Sequence, residues 1–250
     1  YKLMTAFPDL NIFFVIILSG FVTALVGTLF GLPSLRIKGF YLAVATLAAQ
    51  FFLIWLFNKV GWFYNYSATG MITSPSRSVG SFFITGSEST PAAKYLFCFL
   101  FVFLLAWVAR NLTRGKIGRS WMAIRDMDIA AEIIGVNPLI AKLSAFAISS
   151  FYVGVAGALF FSVYLGAVEP TEAFSIQKSF IVLFMVIIGG LGSIFGSFAG
   201  AAFMVLMPVA LKNLLVLQFG WSVDIAAHFE FIIIGGLIIF FLIVEPHGLA

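Results

Sequence analysis

The sequence contains few charged residues, almost no cysteine and little histidine. Only 10% of its 250 residues are charged, whereas 62% are hydrophobic and 31 are phenylalanine. Soluble globular domains carry about 25% charged residues, so this composition excludes an ordinary water-soluble fold. The composition is typical of a chain that lies largely within a lipid bilayer.

The same scarcity excludes several kinds of site. A single cysteine, Cys98, provides neither a disulfide framework nor the paired spacing of zinc sites, and inert packing is its expected role. His228 and His247 lie far apart with no ligand-spaced neighbour, so no metal site is predicted. The glycine-rich stretch 190–196 has neither the dinucleotide spacing nor the Lys-Ser/Thr pair of a phosphate loop. The sequence therefore predicts no cofactor and no nucleic acid partner.

Long windows without any charge predict where the chain crosses the membrane. They cover residues 10–35, 39–58, 95–109, 143–168, 179–211 and 231–244. A backbone in hydrocarbon must satisfy its own hydrogen bonds, so such continuously apolar windows predict helices rather than barrel strands. The fifth window exceeds the roughly 20 residues of one span and contains Gly189, Gly190 and Gly192, which predict a helix break. We predict an all-α, polytopic transmembrane bundle of about seven crossing segments, in which residues 174–189 either span fully or form a re-entrant half-helix.

Lysine and arginine are unevenly distributed over the connecting loops. With seven alternating crossings, most of the 14 basic residues fall on one side, where they are packed into two loops. Basic loops tend to stay in the cytoplasm, so this side is predicted to be cytoplasmic. It holds residues 111–138, while the loops at 59–93 and 166–177 are predicted to face outward.

The most charged stretch, residues 118–138, lies in the predicted cytoplasmic loop. An apolar stripe recurs there at helical spacing and is formed by Ile124, Met127, Ala131 and Ile134. A neighbouring ionic stripe is formed by Arg125, Asp128 and Glu132. The pattern predicts one helix from Ser120 to near Gly135, stopped by Asn137-Pro138. Its mixed charges favour a polar protein partner over the membrane surface, for which basic flanks would be expected.

Several short motifs occur along the chain in the order known from one family. They are Gly31-Leu32-Pro33-Ser34-Leu35-Arg36 with Tyr41-Leu42-Ala43, Gly118-Arg119, Ala123-Ile124-Arg125-Asp126, Ala130-Ala131-Glu132 with Gly135, Lys142-Leu143-Ser144-Ala145-Phe146, Gly154-Val155-Ala156-Gly157-Ala158-Leu159, Gly189-Gly190-Leu191-Gly192-Ser193 and Glu245-Pro246-His247-Gly248-Leu249. Through these motifs, nearly the whole chain resembles the LivM-type permease subunits of branched-chain amino acid ABC importers.

The resemblance implies that residues 1–250 form a single multi-pass permease domain of an ATP-driven importer in the bacterial inner membrane. The implied partners are a second, LivH-like permease subunit, two cytoplasmic ATP-binding-cassette subunits, a periplasmic solute-binding protein and membrane lipid. ATP hydrolysis is then carried out by the partner subunits, and residues 111–138 form the coupling loop that docks on them. The residues implied in coupling are Gly118, Arg119, Ala123, Arg125, Asp126, Asp128, Ala131, Glu132 and Gly135. Such permeases usually begin with further helices, so a missing N-terminal segment is expected.

The predicted spans carry no charged residue away from their ends, so the solute path is sought among neutral polar groups. The candidates are Thr46, Gln50, Ser149 and Ser150. The alternative role for each of them is hydrogen bonding between packed helices. Branched-chain or related amino acids are the expected solutes, and urea or another small polar solute is the alternative within the family.

Two other classes of protein remain as alternatives. An ion-coupled secondary transporter usually shows charge within the membrane or broken helices at matching positions of inverted repeats, and only one glycine-rich break is visible. An integral membrane enzyme needs a cluster of acids, histidines or nucleophiles near an interface. Glu169 and Glu172 are the nearest to such a cluster, and a solvated external loop explains them more simply.

Overall fold

The structure of the chain is a computed structural model. It describes residues 1–34, 40–67, 69–80, 82–86, 89–218, 220 and 222–244. Arg36, Lys38 and the motif at 245–249 lie outside the described residues.

Long helices make up most of the described chain. They are α2 (Ile12–Ser34), α3 (Phe40–Lys59), α4 (Pro91–Arg114), α7 (Pro138–Leu159), α9 (Ile176–Gly189), α10 (Ile194–Lys212) and α11 (Val223–Val244). The short helices are α1 (Lys2–Ala6), α5 (Lys116–Asp126), α6 (Asp128–Ile133) and α8 (Pro170–Ala173). Two π-helical segments, Phe160–Leu165 and Asn213–Gln218, continue α7 and α10. The short strands are β1 (Ile72–Thr73), β2 (Arg77–Val79), β3 (Phe82–Thr85) and β4 (Ala167–Val168).

The prediction of an all-α, multi-pass membrane protein is confirmed. Among the described residues, 5 helical stretches are long and apolar enough to cross a membrane, and they are Ile12–Leu32, Pro91–Arg114, Pro138–Leu165, Ile194–Gln218 and Val223–Phe241. Two shorter apolar helices are Val44–Lys59 and Ile176–Gly189. The count of seven crossings stays a prediction. With 14 residues, α9 extends about 21 Å at 1.5 Å per residue, which is less than the roughly 30 Å of bilayer hydrocarbon.

The contacts divide the chain into two compact units, residues 1–173 and 174–250. The main core of the first unit lies between α2, α4 and α7. Ile12, Phe101 and Val155, one from each of these helices, are almost fully buried there. The Tyr152 hydroxyl on α7 donates to the Leu105 carbonyl on α4 at 2.9 Å, so a polar contact also joins two of the three helices.

Glycine positions bring α2 and α7 into close contact. The facing pairs are Gly20 with Val155, Gly27 with Ser150 and Gly31 with Phe146. Residue numbers rise along α2 as they fall along α7, so the two helices are antiparallel. A Cβ on Gly20 would lie 2.7 Å from Val155, and one on Gly27 would overlap the Ser150 hydroxyl. Small residues therefore permit this approach, as is common between membrane helices.

The two ends of the first unit differ in structure. The strand end comprises α1, β4 and the described residues 60–67, 69–80 and 82–86, where β1 pairs with β4 and β2 with β3, both antiparallel. The basic end comprises residues 111–138. Near the end of α2, Gly31 lies against Phe146 in the first half of α7, which begins at the basic end. Asn65, beyond α3, accepts a hydrogen bond from Lys2 at 3.2 Å at the strand end. Because α3 is the helix between Gly31 and Asn65 in the chain, its position supports its assignment as a crossing segment.

In the second unit, α9 and α10 pack closely on each other. A Cβ on Gly189 would overlap the Gly196 carbonyl oxygen, and one on Gly200 would overlap that of Met185. These helices and α11 bury a small core formed by Ile188, Met204 and Ile238.

α11 begins earlier than the charge-free window predicts. The window started at residue 231, whereas the helix starts at Val223 and contains Asp224 in its first turn. A carboxylate in the first helical turn is favoured by the helix dipole. A charge-based boundary therefore places the helix start too late.

Candidate functional site

The basic end contains two short helices. The prediction of a single helix from Ser120 to near Gly135 is wrong, because the structure has two helices, α5 and α6, in this stretch. Met127 separates them with φ −149° and ψ 89°, a conformation outside the α-helical region. The Asp128 carboxylate accepts the backbone N–H of Ile129 at 2.9 Å. Such a local bond competes with helix continuation, which explains why the chain breaks here.

α5 is fixed to the last turn of α4. Gly118 is buried at this corner, where a Cβ would overlap the Thr113 carbonyl oxygen. Arg119 donates from Nη1 to the Arg114 carbonyl at 3.1 Å, and carbonyls in the last turn of a helix lack partners within the helix. Gly118 and Arg119, both implied in coupling, thus hold α5 in place.

A small apolar cluster fixes α5 and α6 to the start of α7. Its buried members are Ile124, Ala131 and Ala141, and the side chains packed on them are Trp121, Ala123 and Val136. Ala123 and Ala131, which were also implied in coupling, therefore face the protein. A break of one residue still leaves Ile124 and Ala131 on the buried side, so the apolar periodicity did not reveal it.

Gly135 and Asn137 form the corner between α6 and α7. Gly135 has φ 92°, a conformation that favours glycine. Asn137 accepts the backbone N–H groups of Leu139 at 3.0 Å and Ile140 at 3.3 Å, which makes it the N-cap of α7. The structure thus contains the stop that the Asn137-Pro138 pair predicts.

The outward face of this segment is apolar, which the sequence reasoning missed. The exposed fractions are 70% for Met127, 73% for Ile129, 81% for Ile133 and 76% for Ile134. Met127 and Ile134 were assigned to the inner stripe, and their outward position corrects that assignment. The sequence carried one signal for this outward face. The predicted inner stripe left two isoleucines of this short stretch, Ile129 and Ile133, without an assigned position.

Charged side chains surround this apolar face. Arg125 donates from Nε to Asp126 at 2.8 Å, and both side chains are exposed. The hydrogen bond to Asp126 and its negative charge raise the pKa of Arg125 above its ordinary value, so the guanidinium stays cationic. Asp128 and Glu132 are exposed as well. The three residues of the predicted ionic stripe and Asp126 thus lie where a partner could reach them.

The predicted path residues occupy different surroundings. Thr46 is exposed and Gln50 is half-buried, both on α3. Ser149 donates its hydroxyl to the Phe146 carbonyl of its own helix at 2.9 Å. Ser150 lies against Gly27 in the contact between α2 and α7, which favours the alternative role of helix packing for this residue.

A helix break is present at the glycines of the second unit. α9 ends at Gly189 and α10 begins at Ile194. Gly190 has φ 104° and Gly192 has φ 97°, both in the region that favours glycine. Ser193 then caps α10 by accepting the backbone N–H of Gly196 at 3.0 Å.

The apolar helices that are long enough to cross a membrane define a multi-pass membrane protein, and a charged helical segment joins two of them, α4 and α7. Within the described part of the chain, no group of three His, Cys, Asp or Glu side chains is placed to hold a metal ion.

The family of branched-chain amino acid transport system permease components matches residues 2–242 of the sequence. The chain belongs to this family, whose members are components of transport systems and not enzymes. It is 30% identical to the high-affinity branched-chain amino acid transport permease LivM of Salmonella typhimurium and 28% identical to that of Escherichia coli. Both alignments cover 100% of this chain and 60% of the relative.

A third relative comes from Methanocaldococcus jannaschii, where it is described as a probable branched-chain amino acid transport permease LivM. It is 23% identical over 94% of this chain and 66% of the relative. The chain thus spans about 60% of the length of the first two relatives. No solved structure matches the sequence.

Proposed function

We propose that this chain is a membrane-spanning subunit of an ATP-binding-cassette importer that carries branched-chain or related amino acids across a bacterial inner membrane. In this proposal the basic end is cytoplasmic, and α5 and α6 dock on the ATPase subunits. A second permease subunit and an external solute-binding protein complete the complex. The observation that carries the proposal is the exposed apolar face of α6, on a segment that is too charged to lie within the bilayer.

The chemistry of this face suits a protein groove. Met127, Ile129 and Ile133 supply apolar anchors, and the exposed charges around them supply a polar rim. Stable protein interfaces combine an apolar centre with a polar, solvent-accessible rim. Ile129 and Ile133 lie on α6, which Met127 directly precedes, and the buried Ala131 of α6 packs on the start of α7. A displacement of the docked helix is therefore passed to a membrane helix as a rigid-body movement.

The test removes the apolar anchors without disturbing the fold. Ile129→Ser with Ile133→Ser should weaken retention of the ATPase subunits by about tenfold or more, since interface anchors each contribute on the order of 1 kcal/mol or more. Retention is measured by pull-down of the detergent-solubilised complex. Both side chains are exposed, so the thermal midpoint of the isolated subunit should stay unchanged.

A matched control substitutes another exposed apolar residue, at the opposite end of the unit. Phe82→Ser on β3 changes a ring that is 66% exposed and should leave ATPase retention as in the wild type. Unchanged retention in the double α6 variant would contradict the docking assignment. The solute is tested separately, by ATP-dependent uptake of leucine, isoleucine, valine and urea in vesicles that contain the complete complex.

A further inference from the structure

A single side-chain hydrogen bond joins α5 to the membrane helix α7. Trp121 on α5 donates its indole N–H to the Ser144 hydroxyl at 2.9 Å, and this hydroxyl donates to the Ala141 carbonyl at 2.8 Å. Indole has one donor and serine has one donor with acceptor capacity, so both donors are used in one chain of bonds. Both side chains are half-buried, and a hydrogen bond is stronger where water is partly excluded.

This bond adds direction to an otherwise apolar contact. The neighbouring cluster of Ile124, Ala131 and Ala141 is held by apolar packing, which is not directional. A hydrogen bond weakens steeply when its angle or distance changes. The bond from Trp121 to Ser144 therefore fixes the register of α5 along α7, which the apolar cluster alone would not fix.

α7 is in turn firmly joined to the rest of the first unit. Gly27 and Gly31 of α2 leave no room for a side chain against α7, and Tyr152 bonds to α4. Packed interiors transmit displacement because they are not continuously deformable. A movement that reaches Ser144 thus moves α7 together with its neighbours.

We propose that Trp121 and Ser144 are positioning residues that pass a displacement of the docked α5 and α6 to α7. This inference rests on the proposed function, because it assumes docking of the ATPase subunits at the basic end. Gly118 and Arg119 keep α5 attached to α4 independently of this bond. Loss of the bond should therefore leave docking intact and reduce the transport obtained from each ATP hydrolysed.

The experiment compares Trp121→Phe, which keeps an aromatic ring but removes the N–H, with Ser144→Ala and the double variant. A net hydrogen bond contributes about 1 kcal/mol, so each single variant should lower uptake per ATP by about fivefold. The double variant should be no worse than either single variant, since all three lack the same bond. Ser144→Thr keeps the hydroxyl and should restore the ratio to within about twofold of the wild type. ATPase retention should be unchanged in every variant.

Two controls separate this role from general damage. Trp107→Phe changes an exposed ring on α4, and Ser197→Ala removes a hydroxyl on α10 that donates to the carbonyl of Ser193, the N-cap of that helix. Both should keep the wild-type ratio of uptake to hydrolysis.

The outcomes distinguish this inference from the proposed function. A wild-type ratio in Trp121→Phe and Ser144→Ala, or fully multiplicative effects in the double variant, would overturn the role of the bond alone. A wild-type complex without ATP-dependent amino acid uptake would overturn the proposed function, and this inference with it. Because a folding defect would lower retention and thermal midpoint together, a lower ratio at unchanged values of both is the supporting result.

Discussion

Two arginines at opposite ends of the first unit make different contacts. Arg77 at the strand end is half-buried and donates from Nη2 to the carbonyls of Met4 at 2.6 Å and Phe7 at 3.4 Å. Arg125 at the basic end is exposed and bonds to its neighbour in sequence, Asp126. The first arginine joins segments far apart in the chain, whereas the second makes a local surface pair.

The two ends differ in the partners to which their polar groups bond. At the strand end, two short sheets, the bond from Arg77 on β2 to the Met4 carbonyl of α1, and the Thr85 hydroxyl donating to the Pro75 carbonyl at 2.6 Å join segments of the chain to one another. At the basic end, charges and isoleucines remain exposed around α6. The strand end is thus joined by contacts between distant segments, whereas the isoleucines and charges of α6 form a surface that a partner could bind.

The largest expected effect concerns the side of the membrane on which each end lies. In a Cys98→Ala background, cysteine at Ser76 should react with an impermeant maleimide on intact cells, and cysteine at Ser120 should not. The expected difference is all-or-none, because the reagent does not cross the bilayer and basic loops tend to stay cytoplasmic. Labelling of the Ser120 site after permeabilisation is the control for accessibility. Reaction at Ser120 in intact cells would invert the assignment of the two ends.

An intermediate effect is expected when the Arg77 contact is removed. Hydrogen bonds from a charged donor contribute about 1.5–3 kcal/mol, so Arg77→Ala should lower the thermal midpoint by about 5 °C in a unit of this size. Hydrogen exchange should increase within α1 and β2, the segments that Arg77 joins. Lys142→Ala, at an exposed cation on α7, serves as the control. An unchanged midpoint in Arg77→Ala would remove the contrast between the ends.

The sequence predicted the membrane helices and the helix break because both have strong local causes. A continuously apolar window has few alternatives to a helix in hydrocarbon. Gly190 and Gly192 at the break have positive φ values that other residues rarely adopt. These features depend on the residues themselves more than on distant contacts.

The outward face of α6 could not be read from periodicity because it depends on one backbone conformation. The extended Met127 resets the helix phase, so residues after it no longer follow the faces counted from α5. The contact between Trp121 and Ser144 was also missed, since it joins residues 23 positions apart. A tryptophan within a charged loop was its only sequence signal, because the indole N–H requires a partner when it is buried. The solute path stays a prediction.

The smallest expected effect concerns Arg125. Its ion pair with Asp126 is exposed on both sides, and exposed pairs are screened by water and salt. Arg125→Gln should therefore leave the thermal midpoint of the isolated subunit unchanged, in contrast to Arg77→Ala. The hydrogen bond to Asp126 raises the pKa of Arg125. Any stability that this ion pair contributes is therefore present below that pKa, and it would be lost only at a pH above the range in which the protein is handled.

The effect of Arg125 should appear in docking. A charge at the rim of an interface changes the association rate and its salt dependence more than the final affinity. Arg125→Glu, which reverses the charge, should therefore slow association with the ATPase subunits by about two- to fivefold at low salt, and the difference should shrink as salt screens the rim. Association is measured by surface-based binding kinetics at two salt concentrations, with Lys142→Glu as a matched reversal on a residue outside the loop.

A midpoint in Arg125→Gln that falls as far as in Arg77→Ala would show that the basic end also stabilises itself through this pair, and the contrast between the two ends would be wrong.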